Sequence, residues 1–113
     1  MNRISTHILD VQLGKPAGNI LVHLEKREAP GHWRPLHSER TDADGRCAQM
    51  LPGDELSPGI YRLVFDTASY FEVVGVKALY PVVEVTFQVR EGESHFHIPL
   101  LLSANGYTTY RGS

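Results

Sequence analysis

The chain has 113 residues, 42% hydrophobic and 21% charged, which suits one folded domain with one core and excludes a disordered chain. Eleven Lys and Arg against thirteen Asp and Glu give a formal net charge of −2. The cations form no stripe, which argues against nucleic acid or an anionic membrane as a partner. The single cysteine, Cys47, excludes an internal disulfide and a CxxC motif, and it reads as a small buried hydrophobe.

The opening MNRISTHILD holds no apolar run of signal-peptide length, and no segment approaches the about 20 apolar residues of a spanning helix. The expectation is a soluble protein of a reducing compartment, the cytoplasm.

Alternation of apolar and polar residues predicts strands along most of the chain. In Ile4–Asp10, residues Ile4, Thr6 and Ile8 share one face, and Ser5, His7 and Leu9 share the other. Gly14-Lys15-Pro16 reads as a turn. In Asn19–Glu25, residues Ile20, Val22 and Leu24 oppose Leu21 and His23. His32 and His37 flank Trp33 in a loop or strand end and read as solvated.

Asp42-Ala43-Asp44-Gly45 is a turn signal, and Asp44-Gly45 suits a hairpin because both residues tolerate positive φ. Arg46 follows it and starts a strand. There it is either a solvated surface residue or a planar, permanently charged fork for an anion. Leu51-Pro52-Gly53-Asp54 marks another turn, and Ile60–Asp66 another strand.

Thr67–Gly75 breaks the pattern. Ser69 three residues before Glu72 predicts a capping box, and Gly75 predicts a stop. A helix of about two turns follows, with Tyr70, Val73 and Val74 as its inward residues. Pro81–Arg90 alternates Val83, Val85, Phe87 and Val89 with polar neighbours. Ser94–Ser103 is the last long strand, with His95 and His97 on one face and Phe96 and Ile98 on the other. Pro99 within it predicts an edge or a bulge, and so a subunit interface. Short strands separated by turns predict an all-β sandwich or barrel.

His95 and His97, pointing the same way beside an apolar run, predict a polar pocket. A three-histidine zinc site of His7, His95 and His97 is the alternative that the HxH spacing admits, but no carboxylate or cysteine ligand is suitably spaced. No Ser-His-Asp order, glycine-rich phosphate loop or paired carboxylate stands out. The tail Tyr107–Ser113, YTTYRGS, is polar and aromatic, and its place in a site is open on composition alone.

Five segments resemble the transthyretin-like 5-hydroxyisourate hydrolases of urate breakdown: Ser5–Asp10 with Gly14–Ala17, Thr41–Arg46, Gly59–Thr67 with Tyr70-Phe71 and Tyr80-Pro81, His95–Ser103, and the terminal Tyr110-Arg111-Gly112-Ser113. The middle block also matches transthyretin, the hormone carrier of the same fold, whereas YRGS with His7, Arg46 and His97 is the mark of the enzymes. Ala104 stands where a proline is expected.

The resemblance implies one domain over 1–113, a sandwich of two four-stranded sheets with one short helix near residues 67–75. It implies a homotetramer, a dimer of dimers, with sites between dimers. It implies metal-free, cofactor-free hydrolysis of a cyclic amide in 5-hydroxyisourate. His7, Arg46, His97 and Ser113 are the catalytic candidates; His7, Arg46 and Tyr110 would bind substrate; His95 and Arg111 would support them from behind. Imidazole titrates near working pH and suits both proton steps, so either His7 or His97 activates water and the other protonates the leaving nitrogen.

Overall fold

The computed structural model describes residues 1–53 and 55–113. Among the described residues, nine strands and one helix follow in order: β1 Arg3–Asp10, β2 Lys15–Pro16, β3 Leu21–Ala29, β4 His32–Arg40, β5 Arg46–Cys47, β6 Gly59–Phe65, α1 Thr67–Val74, β7 Val83–Val89, β8 His95–Leu102 and β9 Tyr107–Thr109. One sheet has the order β4-β3-β6-β7, and the other β2-β1-β8-β9 with β5 also paired to β1. β8 runs parallel along the whole of β1, so β5 and β2 share the opposite edge of β1 one after the other. The expected pair of four-stranded sheets is therefore one of four and one of five.

Side chains alternate across each strand, and the inner faces meet. Ile4 and Ile8 of β1, and Phe96, Ile98, Leu100 and Leu102 of β8, pack against Val22, Leu24, Tyr61, Leu63, Phe65 and Val83. Thr6 and Asp10 also point inward, and both are satisfied. Thr6 donates to the Ile98 carbonyl at 2.6 Å, and Asp10 accepts from Tyr70 Oη at 2.6 Å and from the N–H groups of Gln12 and Leu13. Each would otherwise be a costly buried polar group.

Several local expectations are corrected. His32–Arg40 is a full strand at the sheet edge, with His32 exposed at its first residue, as a strand end would have it, and His37 in its interior. His37 is half-buried and paired to Glu39 at 2.8 Å, not solvated. The Asp42–Gly45 turn is not a hairpin between neighbours, because β4 and β5 on either side of it lie in different sheets. The Leu51–Asp54 turn is described only as far as Gly53, and Asp54 lies outside the described residues.

The helix is capped by Asp66, whose carboxylate accepts from the Ser69 N–H and hydroxyl, so Ser69 is not the cap. Starting at Thr67, its buried stripe centres on Thr67 and Phe71, which turns Val73 outward at 86% exposure. Val74 and Tyr70 do pack on the core. Pro99 is not on an edge, since β8 has β1 on one side and β9 on the other. Pairing with the tail lapses opposite Pro99, which has no N–H to give, and resumes at a bridge between His97 and Gly112. Ala104 uses the N–H that a proline would lack, donating to Gln12 Oε1 at 3.1 Å. No described helix is long and apolar enough to cross a membrane.

Candidate active site

The outer face of the five-stranded sheet collects the candidate residues by register. Arg3 lies beside His95, Ser5 beside His97, and His7 beside Arg46. Cross-strand neighbours share a face, so these six side chains stand together while Ile4, Thr6, Phe96 and Ile98 enter the core. A cavity of about 310 Å³ opens on this face, lined by Arg3, Ser5, Arg46, His95, His97 and Ser113 among others. His7 is half-buried beside Arg46 and is not among the residues that line the cavity.

Arg46 is placed by the turn before it. Asp42 Oδ1 accepts from the N–H groups of Asp44 and Arg46, each at 2.9 Å, and the Gly45 N–H donates to the Asp42 carbonyl at 2.9 Å. Gly45 has φ 76°, and a Cβ there would lie 2.4 Å from the Ile8 carbonyl oxygen. Only glycine lets β5 come close enough to β1 to set Arg46 beside His7.

The tail is fixed, not frayed. Thr109 donates to the Pro99 carbonyl at 2.8 Å, and the Gly112 N–H donates to the His97 carbonyl at 2.7 Å. Arg111 lies over the Phe96 ring at 4.5 Å, pairs with Glu93 at 3.1 Å and donates to the His95 carbonyl at 3.1 Å. These contacts deliver Ser113 to the cavity wall. Arg111 itself is held against Phe96, Glu93 and the His95 carbonyl. His95, expected in support, lies on the cavity wall itself, with Nε2 donating to the Met1 carbonyl at 2.8 Å.

Tyr110 is not brought into this cavity. Its ring is 54% exposed and lines a separate hollow with Val85, Phe87 and Ile98.

His97 Nδ1 meets Ser5 Oγ at 2.8 Å. Burial lowers the His97 pKa below its ordinary value, and the positive charge of Arg46 and the neighbouring His7 lower it further. The imidazole is therefore neutral near pH 7 and free to take or pass a proton. Cys47 faces the other way. Its thiol is pushed up to about 12 by burial first, then by the charge and hydrogen bond of Glu39 and the charge of Asp42. No three His, Cys, Asp or Glu side chains among the described residues form a group that could hold a metal ion, so His7, His95 and His97 make no such set.

The arrangement offers a neutral imidazole, a guanidinium on a backbone held by its turn, a hydroxyl and a chain terminus around one small polar cavity. Residues 4–112 match the HIUase/Transthyretin family. The chain belongs to that family. It is 44% identical to 5-hydroxyisourate hydrolase of Salmonella dublin over 112 residues, 99% of this chain and 82% of that one. The structure of Klebsiella pneumoniae 5-hydroxyisourate hydrolase superposes with a TM-score of 0.87 at 34% identity, covering 100% of both chains. Transthyretin from Sparus aurata superposes with 0.90 at 32% identity, covering 99% of this chain and 97% of that one. The family's fold thus carries both kinds of protein, and the site has to decide between them.

Sequence reasoning missed Arg3 and Ser5 as members of the site. The period-two pattern already put Ser5 on the His7 face, but nothing in it showed that β8 would lie beside that face.

Proposed function

We propose that this protein hydrolyses 5-hydroxyisourate in urate degradation. The observation that carries the reading is the convergence of His97, Arg46 and Ser113 on one cavity, with the tail bonded to the backbone of His97 itself. A carrier needs a cavity, but it has no use for a neutral imidazole beside a guanidinium with no ion pair among the described residues and a tethered terminus.

Water adds to the carbonyl carbon of the cyclic amide. The tetrahedral oxyanion collapses, the C–N bond breaks, and the nitrogen leaves with a proton. The product is the carboxylate 2-oxo-4-hydroxy-4-carboxy-5-ureidoimidazoline. His7 and His97 divide the two proton transfers, each worth about 10²–10⁴-fold. Arg46 binds the carbonyl-rich ring and steadies the oxyanion, worth roughly 2.7–4 kcal/mol. Ser113 supplies a hydroxyl and the terminal carboxylate to orient substrate or imidazole.

The active form in this proposal is a homotetramer, a dimer of dimers with the cavities facing one another between dimers. Tyr110 enters the site only through that assembly, since its exposed ring is free to meet a second copy. A cytoplasmic location completes the reading, because a single buried thiol suits a reducing compartment.

The test is to generate 5-hydroxyisourate in situ from urate with urate oxidase and follow the decay of its ultraviolet absorbance. The expected result is catalytic acceleration that a strong chelator leaves unchanged. Decay at the spontaneous rate with folded protein would point to a ligand carrier, and loss of rate on chelation would point to a metal.

A further inference from the structure

We propose that Ser5 and Gly112 are positioning residues that clamp the His97 imidazole with Nε2 toward the cavity. The inference rests on the hydrolase reading. Ser5 stands in parallel register with His97, and its hydroxyl lies 2.8 Å from Nδ1. That bond engages the ring nitrogen nearer the backbone. Nε2 is left as the nitrogen that meets substrate or water.

Gly112 closes the clamp from the other side. A Cβ on Gly112 would fall 2.6 Å from His97 Cδ2, 3.3 Å from Cγ and 3.3 Å from Pro99 Cγ. Gly112 is not among the residues with positive φ, so its glycine is a matter of space and not of backbone conformation. The imidazole rests where any other residue would put a methyl group. The backbone beneath the ring is fixed as well, because the Gly112 N–H holds the His97 carbonyl and Thr6 holds the Ile98 carbonyl at 2.6 Å.

A histidine on the outer face of a strand otherwise samples several rotamers and both neutral tautomers. Proton transfer needs one ring nitrogen at hydrogen-bond distance from the reacting atom. Ser5, whose hydroxyl can donate to or accept from Nδ1, acts on the ring flip, and Gly112 acts on the ring's position. The terminal glycine is then part of the catalytic geometry and not a flexible link to Ser113.

The experiment compares Ser5→Ala, Ser5→Thr and Gly112→Ala with the unaltered protein. Ser5→Ala should lower kcat about five- to tenfold, the value of one hydrogen bond, with KM little changed. Ser5→Thr keeps an oxygen at the same place in a strand-compatible side chain and should restore most of the loss. Gly112→Ala should cost roughly a hundredfold through ring displacement.

An arm independent of activity reads the ring directly. Proton–nitrogen correlation spectra of ¹⁵N-histidine-labelled protein should show a hydrogen-bonded His97 Nδ1 signal in the unaltered chain that is shifted in Ser5→Ala. An unchanged His97 ring spectrum and an unchanged pH profile in Ser5→Ala would overturn the clamp. If the unaltered protein does not hydrolyse 5-hydroxyisourate, the hydrolase reading fails, and the ring spectra still decide whether Ser5 fixes His97.

Discussion

The two sheets carry polar outer faces of similar composition and opposite character. On the four-stranded sheet, Arg62 is paired with Glu25 at 2.5 Å and Glu84 at 3.3 Å and stacks on Trp33 at 4.2 Å. Arg34 faces Glu28 at 3.7 Å. These two cations neutralise carboxylates and stiffen the surface. On the five-stranded sheet, Arg3 and Arg46 make no ion pair among the described residues, and they stand beside three histidines. Both faces follow the same period-two alternation. The second gathers Arg3 and Arg46, with no ion pair among the described residues, and three histidines on one face, and that positive charge is what a carbonyl-rich, negatively charging transition state requires.

The comparison is broken most severely by removing the tail. Deleting Tyr110–Ser113 should abolish turnover, because it takes away both the Ser113 terminus and the bond to His97. Full activity in the truncated protein, measured by the decay assay, would make the tail dispensable. Next come His97→Ala and Arg46→Ala, each expected to lose a hundredfold or more in kcat/KM. Arg62→Ala on the other sheet should leave kcat/KM within a factor of two. Its cost should appear in thermal unfolding, at roughly 1 kcal/mol per part-exposed ion pair it abandons.

A smaller effect sharpens the same contrast through pH. Burial and the nearby cations lower the His97 pKa, so the neutral form persists below the ordinary imidazole value of about 6.5. The acidic limb of kcat/KM should therefore fall below about 6.5, and Arg46→Ala should move it upward by removing a positive neighbour. The folded state also resists protonation of His97. Its share of stability is complete above the unfolded-state pKa and is lost as pH falls through the folded-state value. A limb above 6.5, unmoved by Arg46→Ala, would contradict this electrostatic picture. The smallest expected effect is at Cys47, whose thiol is buried and held near 12. Iodoacetamide at pH 8 should label it in the denatured chain and barely in the native one.

Much of this frame is written in alternation. β1, β3, β7 and β8 announce themselves by apolar residues at every second position, and the helix by its length and its glycine stop. β4 does not, for a physical reason. It is an edge strand with Pro35, a bulge opposite Leu24 and Glu25, and His37 and Glu39 turned inward, so it never alternates cleanly. Inward charges of this kind keep an edge from pairing with other chains.

The helix cap was misplaced because Asp66 and Ser69 are both able to cap, and in the fold Asp66 takes the role by accepting from the Ser69 N–H and hydroxyl. In the site, His97, Arg46 and the tail were legible through resemblance, whereas Ser5 was not. Its role depends on a parallel pairing 92 residues away in sequence, and no local period encodes that.

The most direct measurement of the central claim places three proteins in the 5-hydroxyisourate decay assay: the unaltered chain, His97→Ala and Arg62→Ala. The account predicts catalysis by the first and third and a loss of at least a hundredfold, roughly, in the second. Equal rates for all three would contradict it and would remove the outer face of the five-stranded sheet from the chemistry.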